Sequence, residues 1–364
     1  MSTISNPLNV SHGLQIEVNL DAIAANYHIL KHYSSSATVI PVVKANAYGL
    51  GVEQVVSRLI LEGAQSFFVA RLDEALALRA LFSDITIYIL HGVFESEVAF
   101  LHQYHLIPVV NSYSQWCAIK DEALEVVLHV DTAMNRLGLM PEDYLRIVNE
   151  RYNATADIVM LMSHLAAADD ISSPLTLRQK KLFDQDTSLM SDVPRSLANS
   201  HGVFWQKEFH YDFVRPGSAL YGIQPGSVES MPMHHVVSVT APIIDIRVID
   251  RFQGVGYGAT ESLAHGSRVA VLPVGYADGF LRQLSCRGHA VVRDYKVPYI
   301  GRVSMDLITL DITCAKEVLI GDQVTLIGSD ITVDEVAQDA GTIGYEILTQ
   351  LSQGACRRYV TNSR

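Results

Sequence analysis

The chain has 364 residues, 49% hydrophobic and 18% charged, enough apolar material for a buried core and roughly two domains. A net charge of −12 argues against nucleic acid and anionic membranes as broad partners, and no apolar run reaches the roughly 18 uncharged residues of a membrane-spanning helix. Cys117, Cys286, Cys314 and Cys356 are scattered without a Cys-x-x-Cys pair and predict reduced thiols; with a polar Met1 to Val10 lacking the order of a signal peptide, they predict a cytoplasmic protein.

Residues 1–11 read as a loose tail. Leu14 to Val18 alternates with the period of a strand, and Asp21 to Tyr33 follows as a helix with Ile23, Tyr27 and Leu30 on one face. Strands are then predicted over 37–43, 66–70, 85–90, 106–110, 125–131, 156–163, 196–199 and 212–215. Helices are predicted between them over 52–61, 73–80, 95–103, 114–119, 141–151 and 176–185. Most of the strands are short unbroken apolar runs, as a parallel sheet covered on both faces requires. Eight of them predict an α/β fold, a (β/α)8 TIM-type barrel over residues 12–233, in which the strand at 12–20 is free to pair with the domain that follows. A doubly wound open sheet is the alternative, but no Gly-x-Gly-x-x-Gly follows the first strand.

Pro225 to Pro232 is a linker rich in Pro, Gly and Ser. Beyond it the texture changes to short β-rich runs, such as 236–249, 269–274, 289–292 and 324–327, with only 333–339 helical. A mostly β C-terminal domain over 234–364 is expected.

A barrel gathers its active site at the C-terminal ends of its strands. Those ends carry Lys44 and Tyr48, Arg71, Arg136, His164, Ser200 with His201, and the run Arg215-Pro216-Gly217-Ser218. A lysine at the end of a buried strand must be paired, neutralised or used covalently. The loops after the last two strands of a barrel often hold phosphate, and here Ser200 offers a hydroxyl while Gly217 and Ser218 offer backbone N–H groups. A phosphate there and a lysine across the mouth point to pyridoxal phosphate bonded through its aldehyde to Lys44. Each residue also has a plainer reading. Lys44 alone reads as a surface or ion-paired residue, His164 as a satisfied structural histidine, Arg215 as an ion pair with Asp212 or another acid, Met305 as core, Tyr257 as a turn residue and Tyr345 as a packed aromatic.

Eight motifs in order resemble those of the alanine racemase family, over roughly residues 12–360. They are Val43-Lys44-Ala45-Asn46-Ala47-Tyr48-Gly49, Met134-Asn135-Arg136-Leu137-Gly138, Ser163-His164, Arg215-Pro216-Gly217, Gly256-Tyr257-Gly258, Gly275-Tyr276-Ala277-Asp278-Gly279, Arg302-Val303-Ser304-Met305-Asp306 and Ile343-Gly344-Tyr345-Glu346. The resemblance implies a fold-type III pyridoxal-phosphate isomerase that interconverts L- and D-alanine and supplies D-alanine for bacterial peptidoglycan. It implies a homodimer in which the β domain of one chain covers the barrel of the other. No metal is expected.

Racemisation removes the α-proton from one face and returns one to the other. Lys44 serves one face. For the other, the residues leave Tyr257 and Tyr276 open; the motif order of the family places the base at Tyr257 and Tyr276 at the substrate entrance. The resemblance further implies a chain from Tyr257 through His164 to Arg215, with Arg215 facing the pyridine nitrogen. It puts the substrate carboxylate on Arg136 and the Met305 N–H, and the phosphate on Tyr48, Ser200, Gly217, Ser218 and Tyr345. The chain departs from the family at His129, where many members carry a lysine whose carbamate holds the substrate arginine, at Ala133, usually glycine, and at His201, commonly small. A type III decarboxylase, with a carboxylate facing the pyridine nitrogen, is one competing reading. A non-catalytic carrier lacking the second domain and a broad-specificity amino-acid racemase are the others.

Overall fold

The computed structural model describes residues 13–170, 172–224, 232–351 and 355–361. The expected tail at 1–11 and most of the expected linker, 225–231, lie outside the described residues. The chain divides into two units, Ile23–His234 and Met1–Ala22 with His235–Arg364.

The first strand, β1 (Gln15–Asn19), turns Ile16 and Val18 inward and leads into helix Leu20–Tyr33. Eight strands follow in the first unit: β2 (Thr38–Val39), β3 (Ser66–Val69), β4 (Thr86–Ile89), β5 (Ile107–Val110), β6 (Glu125–His129), β7 (Asp157–Met162), β8 (Arg195–Asn199) and β9 (Phe213–Arg215). They form one parallel sheet in the order β2-β9-β8-β7-β6-β5-β4-β3. The chain continuing from β2 closes it, because Val42 bridges Phe68. The Val43 N–H donates to Phe68 O and the Phe68 N–H to Pro41 O, both at 2.9 Å. An open sheet would leave these edges unpaired; the barrel does not.

The interior is filled by Ile40, Val42, Phe68, Tyr88, Ile107, Val109, Val127, Met160 and Met162, with the Phe68 and Tyr88 rings stacked at 4.7 Å. Burial of each such side chain contributes about 2 kcal/mol. Helices Val52–Leu61, Leu72–Leu81, Val98–Tyr104, Tyr113–Ile119, Pro141–Glu150 and Pro174–Thr187 alternate with the strands. Proline opens the last two, and Ser112 and Ser173 accept the first-turn amides Gln115 N–H and Leu175 N–H.

Among the described residues of the second unit ten strands follow: β10 (Val237–Pro242), β11 (Asp245–Val248), β12 (Gln253–Val255), β13 (Glu261–Leu263), β14 (Arg268–Leu272), β15 (His289–Val292), β16 (Tyr295–Pro298), β17 (Ile308–Asp311), β18 (Gln323–Ile327) and β19 (Cys356–Val360). They build a six-stranded sheet, β16-β15-β18-β10-β1-β19, a three-stranded sheet, β11-β14-β17, and the pair β12-β13. β1 runs antiparallel to β10 and parallel to β19.

Two local expectations fail here. The single β run 236–249 is two strands in two sheets: the Ile243 N–H donates to Asp322 O while the Ile244 N–H donates to Val271 O. Pro242, which has no N–H to give, ends the first strand. Helix Val333–Ala340 has a second helix beside it, Gly344–Gln350. That helix is seven residues long, starts on a glycine and has no side-chain cap, so neither periodicity nor a start signal announces it.

Candidate active site

Lys44 follows the strand-forming run that ends at Val43, and what comes next is unusual. Ala45, Asn46 and Ala47 have φ of 53°, 55° and 53° with ψ of 48°, 48° and 54°, and Tyr48 has φ 55°. A left-handed turn of L-residues costs roughly 1–2 kcal/mol per residue and is normally confined to single positions. Here it is held by its surroundings. The Ala45 N–H donates to Glu74 Oε1 at 2.7 Å, the Gly49 N–H to Ala45 O at 2.8 Å, and the Val52 N–H to Asn46 Oδ1 at 2.8 Å. The turn carries Lys44 and Tyr48 to the same mouth of the barrel. Burial, then the charge of Arg136, lowers the Lys44 pKa against an opposing pull from Glu74.

The Tyr48 ring packs on Tyr221 at 4.7 Å, and its hydroxyl lies directly over Gly217. Any Cβ at Gly217 would overlap that hydroxyl, which is why glycine stands there although its φ of −118° is ordinary. Ser200 Oγ accepts the Gly217 N–H at 2.8 Å and the Ala219 N–H at 3.3 Å, leaving its own proton to donate. Ser218 is buried beside them. The ends of β8 and β9 thus offer a hydroxyl and backbone N–H groups in one place.

Arg215, at the end of β9, is buried. It does not pair with Asp212, whose carboxylate takes the Arg195 N–H at 2.8 Å. Its guanidinium donates to Ser196 Oγ, to Ser163 O at 2.5 Å and to Leu197 O at 3.5 Å. Thr132 Oγ1 and Ser163 Oγ lie 2.7 Å apart on the neighbouring strand ends. Burial lowers the Arg215 pKa, yet a guanidinium with these acceptors keeps its charge. His164, one residue past Ser163, is held far below its ordinary pKa by burial and then by Arg215, His129, Arg136 and Lys44. Lys44, Arg136, His164 and Arg215 therefore share one electrostatic neighbourhood.

Arg136 sits on an exposed loop between Val130 and Leu139, which bridge each other. The Asp131 carboxylate accepts Met134 N–H at 2.9 Å and Asn135 N–H at 3.0 Å, and Ala133, Asn135 and Gly138 all have positive φ, 79°, 57° and 117°. His129 is buried at the end of β6, with Nδ1 2.7 Å from Asn111 Oδ1. Burial, then Arg215 and Arg136, pushes its pKa down to about 3. His201 is buried, whereas Arg71 is exposed and paired with Asp73 at 2.9 Å.

Tyr257, Tyr276, Met305 and Tyr345 belong to the second unit. Tyr257 begins a tight turn between Gly256 (φ 68°) and Gly258 (φ 77°), against Arg302, and is 74% exposed. Tyr276 and Met305 are brought together by backbone bonds: Tyr276 N–H to Ser304 O at 3.0 Å and Ala277 N–H to Met305 O at 2.9 Å. They are 44% and 58% exposed. Tyr345 is half-buried on helix Gly344–Gln350, whose end abuts Gly279 in the Tyr276 loop.

Sequence reasoning missed Glu74, Asn111, Ser196 and Tyr221. Asn111 was findable, as a polar residue directly after the apolar strand Ile107–Val110. Glu74 resembles an ordinary first-turn helix residue, and nothing in sequence joins it to Ala45.

Residues 18–225 match the family described as "Alanine racemase, N-terminal domain" and residues 236–359 match "Alanine racemase, C-terminal domain". The chain is 38% identical over 355 residues to an alanine racemase of Rickettsia africae (strain ESF-5), covering 95% of this chain and 98% of the relative. It is 37% identical over 376 residues to one of Rhizobium meliloti (strain 1021), covering 98% and 99%. The crystal structure of alanine racemase from Bartonella henselae with covalently bound pyridoxal phosphate matches with TM-score 0.91 at 34% identity, over 96% of this chain and 99% of that one. That of the biosynthetic enzyme of Pseudomonas aeruginosa matches at 0.89 and 34%, over 96% and 99%. The two matched domains, in order and spanning both units of the structure, leave one conclusion: the chain belongs to the alanine racemase family.

Proposed function

We propose that this protein interconverts L- and D-alanine with pyridoxal phosphate, using Lys44 and Tyr257 as the two opposed bases. The observation that carries the reading is the Lys44 amine: it follows a barrel strand, burial lowers its pKa, and the ends of β8 and β9 bring the Ser200 hydroxyl together with the Gly217 and Ala219 amides. The residues present fit the cofactor. Ser200, the Gly217 and Ser218 amides and the Tyr48 hydroxyl would suit its phosphate, the Gly217 N–H turning to it from Ser200 Oγ, and a Cβ at Gly217 would displace the Tyr48 hydroxyl. Tyr345 adds a further hydroxyl.

When bound, pyridoxal phosphate withdraws electrons from the α-carbon and acidifies its proton. Lys44 tethers the cofactor at rest and moves the proton on one face of the substrate; a lowered pKa makes it a better base near neutrality. Tyr257 moves the proton on the other face, in a chain with His164 and Arg215. Burial, and then its cationic neighbours, keep His164 neutral, so it is able to accept a hydrogen bond. Arg215 would face the pyridine nitrogen of the bound cofactor; a guanidinium does not give up its proton, so that nitrogen would stay unprotonated, which would limit leakage into transamination. Arg136 and the Met305 N–H bind the substrate carboxylate, and Tyr276 narrows the entrance.

The active unit in this reading is a cytoplasmic homodimer, each β domain covering the partner's barrel. The exposure of Tyr257 and Met305 in one chain, 74% and 58%, supports that, because both roles need water excluded. The product supplies peptidoglycan synthesis with D-alanine. Loss of optical rotation and α-proton exchange with L-alanine, compared with L-serine and L-lysine, test the reading. Carbon dioxide release without racemisation would transfer it to a decarboxylase.

A further inference from the structure

Glu74 has no part in the reaction proposed above, yet it touches the residue next to Lys44. It lies in the first turn of helix Leu72–Leu81, and its Oε2 accepts the Ala70 N–H at 2.7 Å and the Arg71 N–H at 3.2 Å. That half of its contacts is ordinary helix capping. The other oxygen is not explained by capping: Oε1 accepts the Ala45 N–H at 2.7 Å, from a residue 29 positions earlier in the chain. One carboxylate thus ties the end of β3 to the first residue of the left-handed turn, and three N–H groups leave neither oxygen any role but acceptor.

The location matters because the Ala45 amide is the first hydrogen-bond donor after Lys44. The charged and titratable groups acting on the lysine are Arg136 from the loop after β6, His164 at the end of β7, and Glu74. Arg136 and Glu74 pull in opposite directions.

We propose that Glu74 is a positioning residue for Lys44, clamping the backbone that carries the lysine and supplying the negative charge that offsets Arg136 at its amine. The proposal rests on Lys44 being the working amine of the site. Its two parts separate by substitution. Glu74→Gln keeps the length and removes the charge; its single amide oxygen holds either the Ala45 N–H or the helix cap, so the charge is read from the Lys44 midpoint against Glu74→Asp, which loses the clamp alone. Glu74→Asp keeps the charge and is one methylene too short to span both loops.

The test uses the full-length chain. In the cofactor-loaded protein, the pH profile of kcat and hydrogen exchange at the Ala45 amide are read. After cofactor removal, the pH dependence of Lys44 acetylation is read by mass spectrometry. Glu74→Gln should move the Lys44 acetylation midpoint down by about half to one pH unit, as loss of a nearby negative charge requires. The kcat profile should move in the same direction. Glu74→Asp should leave the midpoint near that of the parent while Ala45 exchanges at least about tenfold faster. A residue that only caps its helix would lower the melting temperature of both variants and move neither readout. An unmoved midpoint in Glu74→Gln with unchanged Ala45 exchange in Glu74→Asp overturns the proposal. The reading of Lys44 fails differently: Lys44→Ala would then keep the yellow absorbance of the bound cofactor, while Lys44 acetylation compared between the parent and Glu74→Gln would still report on Glu74.

Discussion

Asn111 decides which nitrogen of His129 carries the proton. Its Nδ2 donates to Leu90 O and Val109 O, both at 2.9 Å, so its Oδ1 can only accept. His129 Nδ1, 2.7 Å away, must therefore donate, and Nε2 keeps its lone pair. Protonating that nitrogen would put a buried charge beside Arg215 and Arg136. His129 titrates at about 3 when folded and at 6.5 ordinarily. Between those values the unfolded chain binds a proton that the folded chain refuses. Its contribution to stability is thus complete above pH 6.5 and is lost as pH falls toward about 3, by up to roughly 1.4 kcal/mol per unit. His129→Gln should flatten the acid decline in melting temperature; a decline as steep as that of the parent refutes the assignment.

The same histidine predicts indifference to bicarbonate. An imidazole forms no stable carbamate, and this one is buried with Nδ1 engaged. Racemisation by bicarbonate-depleted enzyme should be unchanged on adding it back. Rescue would mean that a bound anion holds Arg136.

Gly217→Ala should weaken cofactor binding about tenfold or more, since overpacking of this kind costs roughly 1–3 kcal/mol. The added Cβ meets the Tyr48 hydroxyl first. Combining it with Tyr48→Phe should therefore cost less than the sum of the two, and an additive double-mutant cycle in cofactor titrations would reject the contact.

Ala133 holds a φ of 79°, where glycine is at ease and alanine is strained. Ala133→Gly should stabilise the protein by about 1 kcal/mol, net of the glycine's extra chain entropy, and raise the melting temperature by about 2 °C. A lower melting temperature would show that the loop gains nothing from the change.

Lys44→Ala should abolish the visible absorbance of the bound cofactor. Tyr257→Phe should retain that absorbance and lose turnover by roughly 10²–10⁴. Full activity of Tyr257→Phe in both directions would pass the second base to Tyr276.

The barrel was legible because strands buried on both faces must be apolar throughout, and runs such as Ile107–Val110 and Glu125–His129 are too short for helices. The strand-end rule then gathered Lys44, His164, Ser200 and Arg215. What stayed hidden was conformation without a compositional mark. Ala45, Asn46, Ala47 and Tyr48 contain no glycine, and nothing in them announces a left-handed turn. Glu74 and Asn111 act on partners 29 and 18 residues away, through contacts that only the folded barrel creates.

The seat of β1 in the second unit also governs how the chain is made. β1 is synthesised before both of its neighbours, β10 and β19, which begin at Val237 and Cys356. At about 5–20 residues per second, the opening strand waits on the order of ten to forty seconds for the first of them. The barrel, encoded between, has time to close while that strand is still an unpaired edge. The chain through Val360 must therefore leave the ribosome before β1 is covered on both sides, and until then that strand is an exposed edge open to the wrong partner.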